Sequence, residues 1–311
     1  MSIPFLSEHD AVVGETVRIR PGVRRLLADN PGPFTFTGTQ VFILGESERV
    51  VLIDPGPDTP AHRAALTAAL EGRTLTHILV THHHLDHTAA APWLSEVTGA
   101  PTCGFGRPGC AEVEAETEDA RLEAGDDPGF CPDVTLRDGE IIESGGLRIE
   151  ALHTPGHASN HMCYALLGDE MGEDVLFCGD HVMGWSTSVV TPPDGHMGDY
   201  IAQLERIRAR GFDTLYPTHG APIAEPEPFL DAYIGHRLAR EAGVLACVEA
   251  GVGDIREMVA RLYPDLDRKL VPAASLSVLA HLITLREDGR VSADRPDGLR
   301  ARYAPRAIAA E

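Results

Sequence analysis

The run His82-His83-His84-Leu85-Asp86-His87 places four donors for a divalent ion, His82, His84, Asp86 and His87, within six residues. Neutral imidazole and carboxylate are natural ligands of zinc-like ions. The preceding Thr76-His77-Ile78-Leu79-Val80-Thr81 reads as a buried strand, and alternate residues of an extended chain point the same way. His82 and His84 are therefore expected to face one ion together. Asp86 and His87, in the following turn, reach a neighbouring position, and His83 points away as a structural residue. Three single donors recur later, each on a loop after apolar sequence: His157 in Leu152-His153-Thr154-Pro155-Gly156-His157, Asp180 in Phe177-Cys178-Gly179-Asp180, and His219 in Tyr216-Pro217-Thr218-His219-Gly220. Loops on one edge of a sheet converge, so the whole set is read as one metal constellation.

Bringing these loops together requires strands that alternate with helices. Residues 40–45 and 50–54 are short apolar runs around Gly45-Glu46-Ser47-Glu48, a β-hairpin pattern. The second run ends at the turn-forming Asp54-Pro55-Gly56. Residues 59–71 are Ala- and Leu-rich and helical, and a further helix is expected from Thr88 to Val97. Strands are read at 140–142, 147–152, 162–167, 174–178 and 213–216. An amphipathic helix at 199–210 carries Tyr200, Leu204 and Ile207 on one face. This alternation is an α/β signature. Residues 104–130, acidic and broken by Gly and Pro, are expected to form a solvated surface connector with a short helix near 109–116, an active-site flap being the second reading.

Composition changes at Glu225-Pro226-Glu227-Pro228. Beyond it, helices are expected at 228–250, 253–263 and 272–288, followed by a Gly289 turn and a short strand. That is the outline of a small winged-helix-type module. The expected organisation is a catalytic domain at 1–226 and a helical domain at 227–311.

With 311 residues and 43% hydrophobic residues, the chain can bury a large core. It carries 26 Lys plus Arg against 47 Asp plus Glu, a formal charge of −21. Such a field repels nucleic acid and anionic membranes unless a local patch overrides it. The six cysteines form no C-x-x-C pair and suggest reduced thiols rather than a disulfide framework. The first residues lack the pattern of a secretory signal, and no run of about eighteen apolar residues suggests a membrane span. A cytoplasmic protein is expected.

The series H-x-H-x-D-H, H-T-P-G-H, G-D and T-H-G, from about Gln40 to Gly220, resembles that of the metallo-β-lactamase superfamily. The resemblance implies an α+β fold, an αββα sandwich, here with a small C-terminal winged-helix-like domain. Carried over, His82, His84 and His157 bind a first metal, Asp86, His87 and His219 a second, and Asp180 bridges them. Asp54 matches the early Asp that supports the metal loop from behind the ligands. The segment Asn30-Pro31-Gly32-Pro33-Phe34-Thr35-Phe36-Thr37-Gly38-Thr39, the continuation His157-Ala158-Ser159-Asn160-His161 and the tail resemble the β-lactamase-like protein 2 branch. That branch includes a eukaryotic endoribonuclease and bacterial hydrolases of unassigned substrate.

The chemistry so implied is hydrolysis. Two divalent ions, zinc first and manganese or iron as alternatives, would share a hydroxide, because metal binding lowers the pKa of water from about 15.7 to near 7. Asp86 is expected to bind metal and orient this nucleophile. His161, four residues after His157, is expected to line the pocket and contact substrate or shuttle a proton. Trp185, Ser186, Thr187 and Tyr200 are candidates to shape the pocket, and His181 is expected to pack. The expected substrate is a small molecule with an ester, thioester, lactone or amide-like bond. RNA or another phosphodiester is the alternative, disfavoured because no Lys/Arg-rich run flanks the metal loops. The tail is expected to serve packing or homodimerisation.

Overall fold

The structure is a computed structural model describing residues 3–109 and 125–306. The helix expected near 109–116 and Cys110 therefore fall outside the described residues, apart from Gly109. Strands β1 (Thr16–Arg20), β2 (Val23–Leu27), β3 (Gln40–Leu44) and β4 (Arg49–Ile53) run antiparallel in order. β3 and β4 form the expected hairpin, with Phe42 opposite Ile53 and Leu44 opposite Val51. Helix α1 (Pro60–Ala69) begins with Pro60, whose missing N–H costs nothing in a first turn. The Thr59 hydroxyl caps it by accepting from His62 N. It returns the chain to β5 (Thr74–Leu79), parallel to β4.

The helix expected from Thr88 to Val97 is two helices, α2 (Leu85–Thr88) and α3 (Ala91–Thr98). Pro92 is the reason: in a continuous helix it would remove an interior hydrogen bond and clash one turn back, whereas in the first turn of α3 it fits. The Ala90 N–H, near the break, donates to Gly56 O at 3.0 Å. Strands β6 (Thr102–Gly104) and β7 (Val134–Thr135) complete a seven-stranded sheet in the order β1 to β7.

The second sheet contains β8 (Glu140–Ser144), β9 (Leu147–His153), β10 (Met162–Leu166) and β11 (Val175–Gly179), then β12 (Thr214–Pro217) after helix α4 (Met197–Arg210). Its order is β12-β11-β10-β9-β8, with only the β11–β12 pair parallel. Phe42, Ile53, Tyr164 and Phe177 belong to a core shared by the two sheets. Leu66 and Leu94 of α1 and α3 cover the outside of the first sheet, and Tyr200 and Leu204 of α4 cover the second. This is the αββα sandwich.

Beyond the sandwich come α5 (Pro226–Glu249), α6 (Ile255–Leu262), α7 (Val271–Glu287) and the hairpin β13 (Val291–Ala293) and β14 (Tyr303–Pro305). Helix α5 serves two cores. Phe229, Leu230 and Tyr233 join the α4 layer, while Val244, Cys247 and Val248 pack with Met258 of α6 and Leu279 of α7. The stretch Arg268–Glu287 is long and apolar enough to cross a membrane by length and composition alone. More than half of it is buried within the protein, as befits a core helix. Among the described cysteines all five are free, four buried and Cys131 exposed.

Candidate metal centre

Each ligand loop leaves the carboxyl end of a strand: β4 into Asp54, β5 into His82–His87, β9 into His157, β11 into Asp180 and β12 into His219. Asp54 ties three of these loops together. It is fully buried at φ 51°, a left-handed backbone that Asp tolerates better than most residues. Its carboxylate accepts from Thr81 N at 2.8 Å, Thr81 Oγ1 at 2.9 Å, His87 Nδ1 at 2.8 Å and Thr218 Oγ1 at 3.1 Å.

These acceptors set the imidazole tautomers. Thr81 gives its hydroxyl proton to Asp54, so the His82 Nδ1–H donates to Thr81 Oγ1 at 3.0 Å. The His87 Nδ1–H donates to Asp54, the His157 Nδ1–H to Val189 O at 2.6 Å, and the His219 Nδ1–H to Gly38 O at 3.1 Å. In each neutral ring Nε2 is left as a lone pair. His84 turns the other way: its Nδ1 lies 2.8 Å from His82 Nε2, and its Nε2 lies 3.4 Å from Asp126 Oδ1. His157 Nε2 is 3.2 Å from His82 Nε2. Nitrogen lone pairs this close repel unless a proton or a cation stands between them.

The second group holds the carboxylates. His219 Nε2 lies 3.2 Å from Asp86 Oδ2 and 3.5 Å from Asp180 Oδ1, and His87 Nε2 lies 3.5 Å and 3.7 Å from the same two atoms. Asp180 Oδ2 is 3.9 Å from His157 Nε2, so Asp180 stands between the groups. His87 Nε2, His219 Nε2 and Asp180 Oδ1 are buried without a hydrogen-bond partner, an arrangement costing about 1–3 kcal/mol for each orphaned atom. A divalent ion taking up these lone pairs removes that cost, and His82, His84 and His157 on one side with Asp86, His87 and His219 on the other each bring ligand atoms within 4.8 Å of one another. The donor set fits divalent metal.

Charge in the site is divided along the same line. Burial pushes the His82 imidazole well down, and neighbouring histidines push it further. Burial works the same way on His87 and His219, but nearby Asp86 and Asp180, with Asp54 for His87, outweigh it and raise both. In return, and against burial, His87 and His219 hold the Asp86 carboxyl at about 2 and push Asp180 down as well. Both carboxylates are anionic at neutral pH.

His161 is not in the pocket. It is wholly buried; its Nε2 accepts from Asp180 N at 3.2 Å, so its Nδ1–H donates to Thr154 Oγ1 at 2.8 Å. With both nitrogens engaged inside the protein, it supports the Asp180 loop rather than contacting substrate. Gly179, at φ +53°, is required beside it: a Cβ there would meet His161 Nε2 at 2.6 Å. His83 is turned aside, its Nδ1–H donating to Asn160 Oδ1 at 3.0 Å. Tyr200 is also a core residue, its hydroxyl donating to His181 O at 2.7 Å.

Beside the ligands lies a cavity of about 580 Å³ lined by His84, Asp86 and Asp180, by the Pro31–Thr35 segment and by residues 183 and 185–191. Trp185, Ser186 and Thr187 line it, and Trp185 is held by stacking on Phe36 at 4.9 Å. Two features depart from the leading readings of the sequence. The described end of the 104–130 segment is not merely a solvated connector: Gly125 lines the cavity, Gly125 O accepts from Leu85 N and Asp127 N donates to His83 O. The C-terminal helices also supply a wall, through Arg237 of α5, Tyr263 and Leu266 after α6, and Leu270, Ala273, Ala274 and Ser277 at and within the start of α7. The signal available was position alone, an α5 whose apolar residues serve two cores.

The profile of the Metallo-beta-lactamase superfamily matches residues 34–219, and that of the Beta-lactamase associated winged helix domain matches 255–297. The chain belongs to the metallo-β-lactamase superfamily. Within the superfamily it is 33% identical to a lactamase-like protein of Neosartorya fischeri, covering 78% of this chain and 67% of that one. It is 27% identical to an atrochrysone carboxyl ACP thioesterase of Cryptosporiopsis, covering 91% and 85%. It is 29% identical to a β-lactamase-like protein 2 homologue of Drosophila melanogaster, covering 90% and 93%. A solved metallo-β-lactamase family protein of Thermus thermophilus matches with a TM-score of 0.68 at 27% identity, covering 93% and 100%.

Proposed function

We propose that this chain is a metal-dependent thioester hydrolase acting on a small acyl substrate. What carries the reading is the convergence of the unpartnered His87 and His219 Nε2 atoms with the Asp180 carboxylate, next to a 580 Å³ cavity that His84, Asp86 and Asp180 line. His82, His84 and His157 would hold one divalent ion, Asp86, His87 and His219 a second, and Asp180 both. Bound there, the ions would supply Lewis acidity and bring the pKa of water towards neutrality.

The chain's own residues do the rest. Asp86 lines the cavity and is anionic, so its carboxylate accepts a hydrogen bond from the attacking water and orients it toward the carbonyl carbon. Trp185 and the 31–35 segment enclose the acyl group and exclude bulk water. A departing thiolate, with a thiol pKa of about 8.5, needs no general acid, whereas an amide nitrogen does. The thioesterase name of a relative matching 91% of this chain supports the same choice.

The test is metal analysis of purified protein alongside hydrolysis of matched thioesters, oxygen esters, lactones, phosphodiesters and single-stranded RNA. About two metals per chain with the thioester fastest is expected. RNA cleavage that vanishes in Asp86→Ala, with thioesters untouched, would replace this reading by the nuclease one.

A further inference from the structure

Arg237 is only 5% exposed, yet it lines the same cavity as His84, Asp86 and Asp180. A guanidinium has five N–H donors. Here Nη2 donates to Ser188 O at 2.5 Å, Nε is buried with no acceptor, and Cζ stands 5.1 Å from the centre of the Tyr200 ring. Among the described residues no carboxylate pairs with it. An unpaired buried cation is expensive, and this one lies in a chain whose formal charge of −21 offers many carboxylates. It is also the one Lys or Arg among the described lining residues. Its surroundings register the unbalanced charge. Burial first, and Arg237 among the further causes, bring the His281 imidazole down to about 3 and His236 to about 4.

We infer that Arg237 binds a carboxylate carried by the acyl group of the substrate, so that the preferred substrates are thioesters of dicarboxylic acids. The inference rests on the thioesterase reading for the bond that is cut, but not for the anion that is bound. A planar guanidinium fork matches a planar carboxylate. One cation in a cavity also lined by Trp185, Leu266 and Ala273 balances a single negative charge.

The test uses the metal-loaded full chain and two product acids, adipate and hexanoate, measured by titration calorimetry. Each brings one carboxylate to the metal end, and only adipate has a second for Arg237. Adipate is expected to bind at least about tenfold more tightly, a difference of about 1.4 kcal/mol. In Arg237→Gln the two acids are expected to bind within about twofold of each other, and Arg237→Lys should keep part of the preference. Equal binding of the two acids by the wild type would overturn the inference without any variant. So would equal weakening of both acids in Arg237→Gln, the mark of a residue that only pins the Ser188 carbonyl. A wild type that prefers adipate but cleaves no thioester would sink the proposed reaction and leave the Arg237 assignment standing. Thioester cleavage with no preference for a terminal carboxylate would do the reverse.

Discussion

At the ligand end of the cavity Asp54, Thr81, Val189 O and Gly38 O each fix one donor, whereas at the other end α6 and α7 present Leu266, Leu270 and Ala273 with no such constraint. The first region is over-determined: moving one ring breaks a hydrogen bond behind it and a contact in front of it. The second holds its shape through packing, which tolerates exchanges among apolar residues of similar volume. On the proposed function a scaffold so divided could keep one reaction while its substrate changes, because the wall that would read the acyl group comes from the C-terminal helices, apart from the loops that would hold the metal.

The largest effect expected from this contrast is at Asp180. Loss of a residue that merely supports a metal ligand costs 10–100-fold, so removing Asp180, which on the proposed function both groups would share, is expected to cost more. Asp180→Ala is expected to fall below one bound metal per chain and to lose more than about a hundredfold in kcat/KM, read by metal analysis and thioester hydrolysis. Retained metal with retained activity would remove Asp180 from the centre. Asp54→Asn touches no ion but swaps an acceptor oxygen for an amide donor facing His87, Thr81 and Thr218. A loss of about 10–100-fold in metal affinity is expected, seen as a lower chelator concentration for half-removal. Were affinity unchanged, the ligand end would be less constrained than its hydrogen bonds imply.

The same contrast governs what the sequence discloses. Metal ligation restricts residue types so severely that the close-spaced His82, His84, Asp86 and His87 stand out by themselves, whereas His157, Asp180 and His219, single donors after apolar strands, stand out through the set they complete and the family resemblance; the structure brings all seven together. The alternation of strands and helices was legible as short apolar runs, several ending at those donors, while the sandwich came only through the family resemblance and β1, β2, β6 and β7 went unread. Leu266 and Ala273 were not, since an apolar residue near a helix end looks the same whether it meets a core or a substrate. Arg237 reads as one charge among many on a long helix, and only the fold shows that it is buried. His161 was misplaced because four-residue spacing from His157 suggests a shared direction, whereas the loop doubles back and puts it beneath Asp180. The break before α3 was readable from Pro92 and turns on one missing N–H.

Two smaller effects probe the α5–α7 side. His281 of α7 is buried, both its ring nitrogens lack partners, and burial with Arg237 and its neighbours brings its pKa to about 3. An unfolded chain protonates it near 6.5, so as pH falls from about 6.5 toward 3 the unfolded state binds the extra proton and stability drops. Between pH 7 and pH 5.5 this one group removes roughly 1 kcal/mol. His281→Leu is expected to shrink the fall in urea-unfolding free energy over that interval by that amount. Metal release at the distant ligands is common to both proteins and cancels. An unchanged fall would mean His281 is charged in the native state, placing a second cation beside Arg237.

The smallest effect is expected at the wall itself. Leu266→Ala removes apolar contact with an acyl chain long enough to reach the C-terminal helices, worth on the order of 1 kcal/mol, and leaves every ligand in place. For a hexanoyl or longer thioester KM should rise about three- to fivefold with kcat unchanged, and for an acetyl thioester neither constant should move. Equal losses on long and short acyl groups would show that the wall acts on the ligand loops rather than on the substrate. The two regions would then be one constrained unit, and the division between the loops that cut and the helices that select would fail.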